Sequence, residues 1–307
     1  MTSLRAHALH RVLRLSVKSF HGSQQGFVRR FRLITRAAGV AARLPRGVIA
    51  TRDHVGGVPG EWLIPQGARG LLLYYHGGAF VTGSPAMYRS FCASLAKALR
   101  LRVFVPDYRL APEHPFPAAP DDALAAYRAA IARLKPEEAL VIAGDSAGGN
   151  LALGVMQQAV AGGLRVPDCA VLISPGLDLT CSGAALDAND RSDHMLSRHI
   201  IDHAVAAYLP AGDAADPVAS PLWGEMAGLP PLLVSVSDSE CLRDDSYRLR
   251  DRAAAAGVPV RLLARPDMTH VWPVFVQLLP EADEDFRTIT RFVEDSLADA
   301  GHDRSRQ

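Results

Sequence analysis

Leu140-Val141-Ile142-Ala143-Gly144-Asp145-Ser146-Ala147-Gly148-Gly149-Asn150-Leu151 leads from an apolar run, through the G-x-S-x-G pattern of residues 144–148, into a helical pattern that continues to Val160. The apolar run predicts a buried strand and the following segment a helix, so the chain must turn sharply between them. Such a turn holds the central serine in a strained conformation with its hydroxyl exposed. Gly144 and Gly148 suit it because a side chain on either flank would clash. The helix start adds partial positive charge beside the hydroxyl. Ser146 is therefore the candidate nucleophile.

Apolar runs bounded by turn residues recur outward from this point, at 71–75, 102–106, 170–174, 232–236 and 260–264. Helical patterns near 87–100, 120–134, 147–162, 241–256 and 281–299 lie between them. Strand–helix alternation with nearly continuous apolar strands predicts an α/β fold, a buried and mostly parallel sheet wrapped by helices. Residues 178–230 break the rhythm: they show no strand pattern and one helical patch around 199–208. An excursion of roughly fifty residues inside such a fold reads as an added lid.

Composition narrows the class. The 307 residues are 49% hydrophobic and 21% charged, which excludes disorder, collagen-like repeats and a disulfide-stapled miniprotein. Four widely spaced cysteines without a C-x-x-C pair argue against a zinc knuckle and for a reducing compartment. No run of about 18 apolar residues predicts a membrane span. The formal net charge of +1 hides an asymmetry, for the first acidic residue is Asp53, after eleven Lys and Arg. A basic leader of this kind reads as a targeting or surface-binding segment, or as amphipathic helices of the fold. Leu9, Val12, Leu13, Val17 and Phe20, then Phe27, Phe31 and Ile34, recur at helical spacing and favour two packed helices. With no apolar stretch leading to a small-residue cleavage site, a cytoplasmic protein is expected.

A serine needs an oxyanion site, a base and an acid. His76-Gly77-Gly78-Ala79-Phe80 follows the strand at 71–75, and its paired glycines leave backbone N–H groups free to face a developing negative charge. Gly77 and Gly78 are the expected donors, joined by the N–H of Ala147, with His76 fixing the loop. Eleven histidines compete as base. His7, His10, His21 and His302 are expected to be solvated, His114 sits in a proline-rich turn, and His194, His199 and His203 belong to the lid. His270 follows the strand at 260–264 through a short turn, which suits a base delivered at the sheet's C-terminal edge. The acid is expected after the strand at 232–236. Asp244 and Asp245 fit a first helical turn better, leaving Asp238 and Glu240.

These residues together resemble the hormone-sensitive-lipase-like esterases of the α/β-hydrolase superfamily. The resemblance spans roughly residues 71–275 and includes Asp107-Tyr108-Arg109-Leu110-Ala111-Pro112-Glu113-His114-Pro115. It implies an α/β-hydrolase fold with a helical cap, and the chain order nucleophile, acid, base that Ser146 and His270 obey. Glu240-Cys241-Leu242-Arg243-Asp244 occupies the register of the family's Asp-Pro-Leu-Arg-Asp segment, so the resemblance points to Glu240 as the acid, with Asp238 as the fallback. Ala79 replaces a third glycine, and Trp272 stands where phenylalanine is more usual, a change expected to narrow the acyl pocket. The cap is expected from 1–45 and 180–225, the core from 46–179 and 226–300, and a polar tail over 301–307. Phe80, Tyr88, Asp145 and Trp272 are the expected pocket residues; Asp107, Tyr108 and Arg109 are expected in a buried structural network.

The activity so implied is a serine carboxylesterase acting on short- to medium-chain acyl esters, with no metal or organic cofactor and no nucleic-acid partner. Homodimerisation through an exposed sheet edge is expected by analogy alone. Two rivals remain: hydrolysis of amides or carbamates by the same residues, and small-molecule binding without catalysis, as in the gibberellin receptors, which keep the fold and lose the histidine.

Overall fold

In the computed structural model, residues 2–41 and 43–304 are described. The chain opens with α1 (Leu4–Leu13), a wider π-type turn at Arg14–Lys18 and α2 (Gln24–Ala41). It continues β1 (Val48–Val55), β2 (Val58–Pro65), β3 (Gly70–Tyr75), α3 (Pro85–Leu99), β4 (Arg102–Pro106), α4 (Ala118–Ile131), β5 (Ala139–Asp145), α5 (Ala147–Ala161) and β6 (Cys169–Ile173). Two helices, α6 (Ala185–Ala188) and α7 (Arg198–Tyr208), precede β7 (Leu232–Ser237), α8 (Arg243–Ala255), β8 (Val260–Arg265) and α9 (Pro280–Arg304). The eight strands form one sheet in the order β1-β2-β4-β3-β5-β6-β7-β8. β1 and β2 run antiparallel at one edge, and the pairs from β4 to β8 are parallel. This is the α/β-hydrolase fold that the resemblance implied.

The strands from β3 to β7 are apolar on both sides because both faces are covered. Leu71, Leu73 and Tyr75 of β3 face a core shared with α4, α5 and α8, while Leu72 and Tyr74 face one shared with α3 and α9. The hairpin β1–β2 was not anticipated. Thr51 to His54 face solvent at the sheet edge, so no apolar run marks β1. The signal that was there is Gly56-Gly57, both at positive φ (65° and 79°), a pair suited to a two-residue hairpin turn.

The basic leader folds as helices belonging to the molecule. Ala6, His10, Leu13, Val17 and Phe20 are the buried line, alternating spacings of four and three, and Val12 is 58% exposed instead. His10, expected to be solvated, is thus a core residue at 4% exposure. α2 packs on α3 and α7, so the two parts of the chain expected in the cap do meet. Residues 301–304, expected in a polar tail, form the last turn of α9; 305–307 lie outside the described residues. No helix among the described residues is long and apolar enough to cross a membrane.

Candidate active site

Ser146 stands between the end of β5 and the start of α5 with φ 52° and ψ −120°, a backbone conformation that L-residues rarely hold. Its flanks explain the glycines. A Cβ on Gly148 would lie 1.9 Å from the Tyr75 carbonyl oxygen, and one on Gly144 would lie 2.3 Å from the Gly148 carbonyl oxygen. The Ser146 N–H donates to the Ile173 carbonyl at 2.9 Å, which locks the turn to β6.

His270 and Glu240 meet in the interior. His270 Nδ1 lies 2.7 Å from Glu240 Oε2, with both side chains almost fully buried. Glu240 Oε1 accepts the Ser237 N–H at 3.2 Å, so both carboxylate oxygens are engaged. Burial pushes the imidazole pKa down, but the hydrogen bond and charge of Glu240 outweigh it and raise His270 above the ordinary histidine value. Nε2 of His270 makes no hydrogen bond among the described residues, although it is buried. That free nitrogen belongs to a residue lining the same cavity as Ser146. Asp238 is directed elsewhere: its Oδ1 accepts the Tyr247 hydroxyl at 2.7 Å. Of the two acids left open by the strand order, only Glu240 touches His270.

The loop after β3 requires one correction. The Gly77 N–H donates to Asp145 Oδ1 at 3.0 Å and also faces the Tyr88 hydroxyl at 3.2 Å, so it is not available to an oxyanion. Gly78, Ala79 and Ala147 line the cavity, and their N–H groups have no protein acceptor among the described residues. Gly78 is at φ 128° and Ala79 at φ 55°, so the loop turns through positive φ just where these donors would point outward. His76 fixes the loop, as expected: its Nδ1 lies 2.9 Å from the Gly77 carbonyl and its ring stacks on Tyr108 at 4.3 Å.

Asp145 is 1% exposed and surrounded by donors, with Tyr74 and Tyr88 hydroxyls at 2.7 Å and 2.6 Å. Burial raises its pKa to about 6 against the pull of those hydrogen bonds. Sequence reading placed Asp145 near substrate but gave no sign that it holds the glycine loop. Phe80 and Tyr88 also line the cavity, and Phe80 stacks on Tyr208 of α7 at 3.9 Å. Trp272 does not line it. It is fully buried beneath α1, packed with Ala6 and Met268, and its Nε1 donates to Asp285 at 2.7 Å, so it cannot narrow an acyl pocket. Nor do Asp107, Tyr108 and Arg109 form a buried network: Tyr108 alone is buried, and Arg109 pairs with Asp122 at the surface.

The cavity has a volume of about 620 Å³. Phe31 and Thr35 of α2, Ile200 and Tyr208 of α7 form its roof, over Ser146 and His270. The roof is fastened to the floor by Arg32 of α2, whose guanidinium bonds Glu113 through both NH groups (2.7 and 2.6 Å) and the carbonyls of Val81 and Ala111 (both 2.9 Å). Thr35 Oγ1 and Thr82 Oγ1 meet at 2.6 Å beside it. A hydroxyl on a strained turn, a buried imidazole with one nitrogen free and a cluster of unpaired N–H groups together supply what acyl transfer requires.

Comparison with known proteins agrees. Residues 72–274 match a family described by the α/β-hydrolase fold. An acetyl-hydrolase of Streptomyces hygroscopicus is 39% identical over 239 residues, covering 78% of this chain and 79% of its own. An esterase of Acinetobacter venetianus is 36% identical, covering 78% and 80%. The crystal structure of an esterase from the bacterial hormone-sensitive lipase family superposes with a TM-score of 0.88 at 33% identity, covering 97% of this chain and 99% of that one. With its fold, its serine turn and its relatives in agreement, the chain belongs to the hormone-sensitive-lipase-like esterases of the α/β-hydrolase family, and it is an ester hydrolase.

Proposed function

We propose that the protein is a serine carboxylesterase for short- to medium-chain acyl esters, working through Ser146, His270 and Glu240. The observation that carries this reading is the division of labour on one imidazole, with Nδ1 held by Glu240 and Nε2 free in a residue that lines the cavity of Ser146. Ser146 Oγ attacks the ester carbonyl as His270 Nε2 takes its proton, and Glu240 stabilises the imidazolium. The N–H groups of Gly78, Ala79 and Ala147 receive the oxyanion. The imidazolium protonates the departing alcohol, and water repeats the sequence on the acyl-enzyme to release the acid and regenerate the serine.

The acyl-length reading rests on the bounded, largely apolar cavity of about 620 Å³ and on the acetyl-hydrolase relative. The test is a series of p-nitrophenyl esters from acetyl to palmitoyl, run with wild type and Ser146→Ala. A short-chain optimum, and a kcat lower by about 10⁵–10⁶-fold in the variant, are expected. A loss below about tenfold would refute the assignment of Ser146. A matched ester and anilide pair separates esterase from amidase, and failure of the protein to react with a serine-directed phosphonate would favour a binding protein.

A further inference from the structure

Away from the cavity, three side chains that sequence reading left without a role come together at the foot of α1. His7 and His10 lie three residues apart on one face of the helix, and Asp267 stands in the turn between β8 and His270. One potential ligand atom from each lies within 4.8 Å of the others. His7 is exposed, Asp267 is half-buried, and His10 is 4% exposed.

His10 is the anomaly. Both of its ring nitrogens are buried, and neither has a hydrogen-bond partner among the described residues. An unsatisfied buried polar atom costs about 1–3 kcal/mol, and native proteins seldom leave one without a purpose. A leucine would fill this place in the buried line of α1 at no such cost. An imidazole there makes sense if its nitrogen is meant for a ligand, and its neighbours in reach are a second imidazole and a carboxylate.

The surroundings are built rather than accidental. Ser3 donates from both its N–H (2.5 Å) and its hydroxyl (3.0 Å) to Glu281, seating the start of α1 on α9. His10 stacks on His194 at 3.6 Å with rings 10° apart. Arg14 Nε donates to His194 Nδ1 at 3.1 Å, which places the His194 proton on Nε2, and that N–H donates to Asp267 Oδ1 at 2.8 Å. Thr2 donates to Asp267 Oδ2, and the Asp267 N–H donates to Ser239 Oγ at 3.0 Å. A carboxylate oriented in this way by an outer layer of donors is typical of metal ligands.

We propose that His7, His10 and Asp267 bind one divalent transition metal of the zinc class, linking the first cap helix to the turn that delivers His270. Two imidazoles and one carboxylate suit zinc and its neighbours and do not suit calcium or magnesium, which take oxygen ligands. Metal–ligand bonds of about 2.0–2.2 Å require ligand atoms about 3.3–3.5 Å apart, so from separations within 4.8 Å the site closes by up to about 1.5 Å on binding. The exposed His7 side chain is free to supply that movement. Water completes the tetrahedron on the open side. No metal is expected from the sequence, because acyl transfer by a serine requires none; the site proposed here would be additional to that chemistry.

The test is equilibrium dialysis of the chelator-stripped full chain against Zn²⁺, with thermal unfolding on the same samples. Variants are His7→Gln, which changes an exposed residue and keeps the fold, Asp267→Asn, and His199→Gln. The last controls for a second imidazole pair away from this cluster, His199 and His203, whose Nε2 atoms lie 3.1 Å apart on α7. Expected are one zinc per chain, a rise in Tm of about 4 °C at hundredfold excess over Kd, and affinity reduced at least about tenfold in His7→Gln and Asp267→Asn. His199→Gln should bind as wild type does. No zinc on the wild type, unchanged binding in His7→Gln, or loss of binding in His199→Gln would overturn the proposal.

Discussion

The carboxylate of Asp145, the residue preceding Ser146, holds the N–H of Gly77 at 3.0 Å and so positions the glycine loop that follows β3. The serine turn and the glycine loop are joined through one side chain, whose two oxygens also accept hydroxyls from Tyr74 and Tyr88. Asp145→Asn puts an amide donor where an acceptor is needed. We expect kcat lower by about 10²-fold with KM changed little, and stability lower by about 1–3 kcal/mol. Steady-state kinetics and urea unfolding of the same variant check both.

Glu240 and Asp238 are two residues apart and have different partners. Glu240→Gln keeps the shape while removing the charge that orients and stabilises the imidazolium, and kcat should fall by about 10⁴-fold. Asp238→Asn disturbs only the contact to the Tyr247 hydroxyl, and kcat should hardly change. Near-normal turnover by Glu240→Gln would remove Glu240 from the mechanism.

The pH profile follows from the same pair. The base must be neutral to accept the Ser146 proton, and Glu240 raises the pKa of His270 above the ordinary value of 6.5. The acidic limb of kcat/KM for the wild type should therefore lie above that value, with activity lost as pH falls through it. In Glu240→Gln burial acts on the imidazole against only the lesser pull of Asp193 and Asp145, so the limb should move to lower pH. A limb that stays in place would show that another group controls it.

Two glycines of α5 make opposite predictions. Gly148→Ala drives a methyl against the Tyr75 carbonyl, a contact with no flexible partner to yield, and should cost at least about 3 kcal/mol or prevent folding. Gly154, in the middle of the same helix, has nothing within 4 Å of an added Cβ. Gly154→Ala should stabilise the protein by about 0.5–1 kcal/mol through helix propensity alone. Denaturant unfolding of the pair measures both.

How far the sequence could be read depended on whether local pattern or distant contact set each feature. β3 to β7 are buried on both faces and β8 is half-buried, so these strands stood out as apolar runs, and the serine turn carried its own glycines. β1 hides because an edge strand needs no apolar face on its solvent side. Gly77 was misjudged since no local pattern shows that a carboxylate sixty-eight residues away occupies its N–H. Trp272 follows His270 so closely that a pocket position looked natural, yet the turn at Val271, φ 54°, sends it under α1 instead. His10 escaped notice because a hydrophobic stripe scores histidine as polar, and only the packed helix reveals that it completes the buried line.

Arg32 has a consequence for kinetics. Its guanidinium joins α2 to the carbonyl of Val81, in the very loop that turns around Gly78, and to Ala111 and Glu113 beyond it. A roof riveted to the glycine loop cannot swing aside without disturbing the N–H groups proposed to receive the oxyanion. Substrate must then arrive as single dissolved molecules through a portal of fixed size. Rates should follow a plain hyperbola in monomeric ester and show no jump when the ester begins to form droplets or micelles, the behaviour of an enzyme with no interface to wait for.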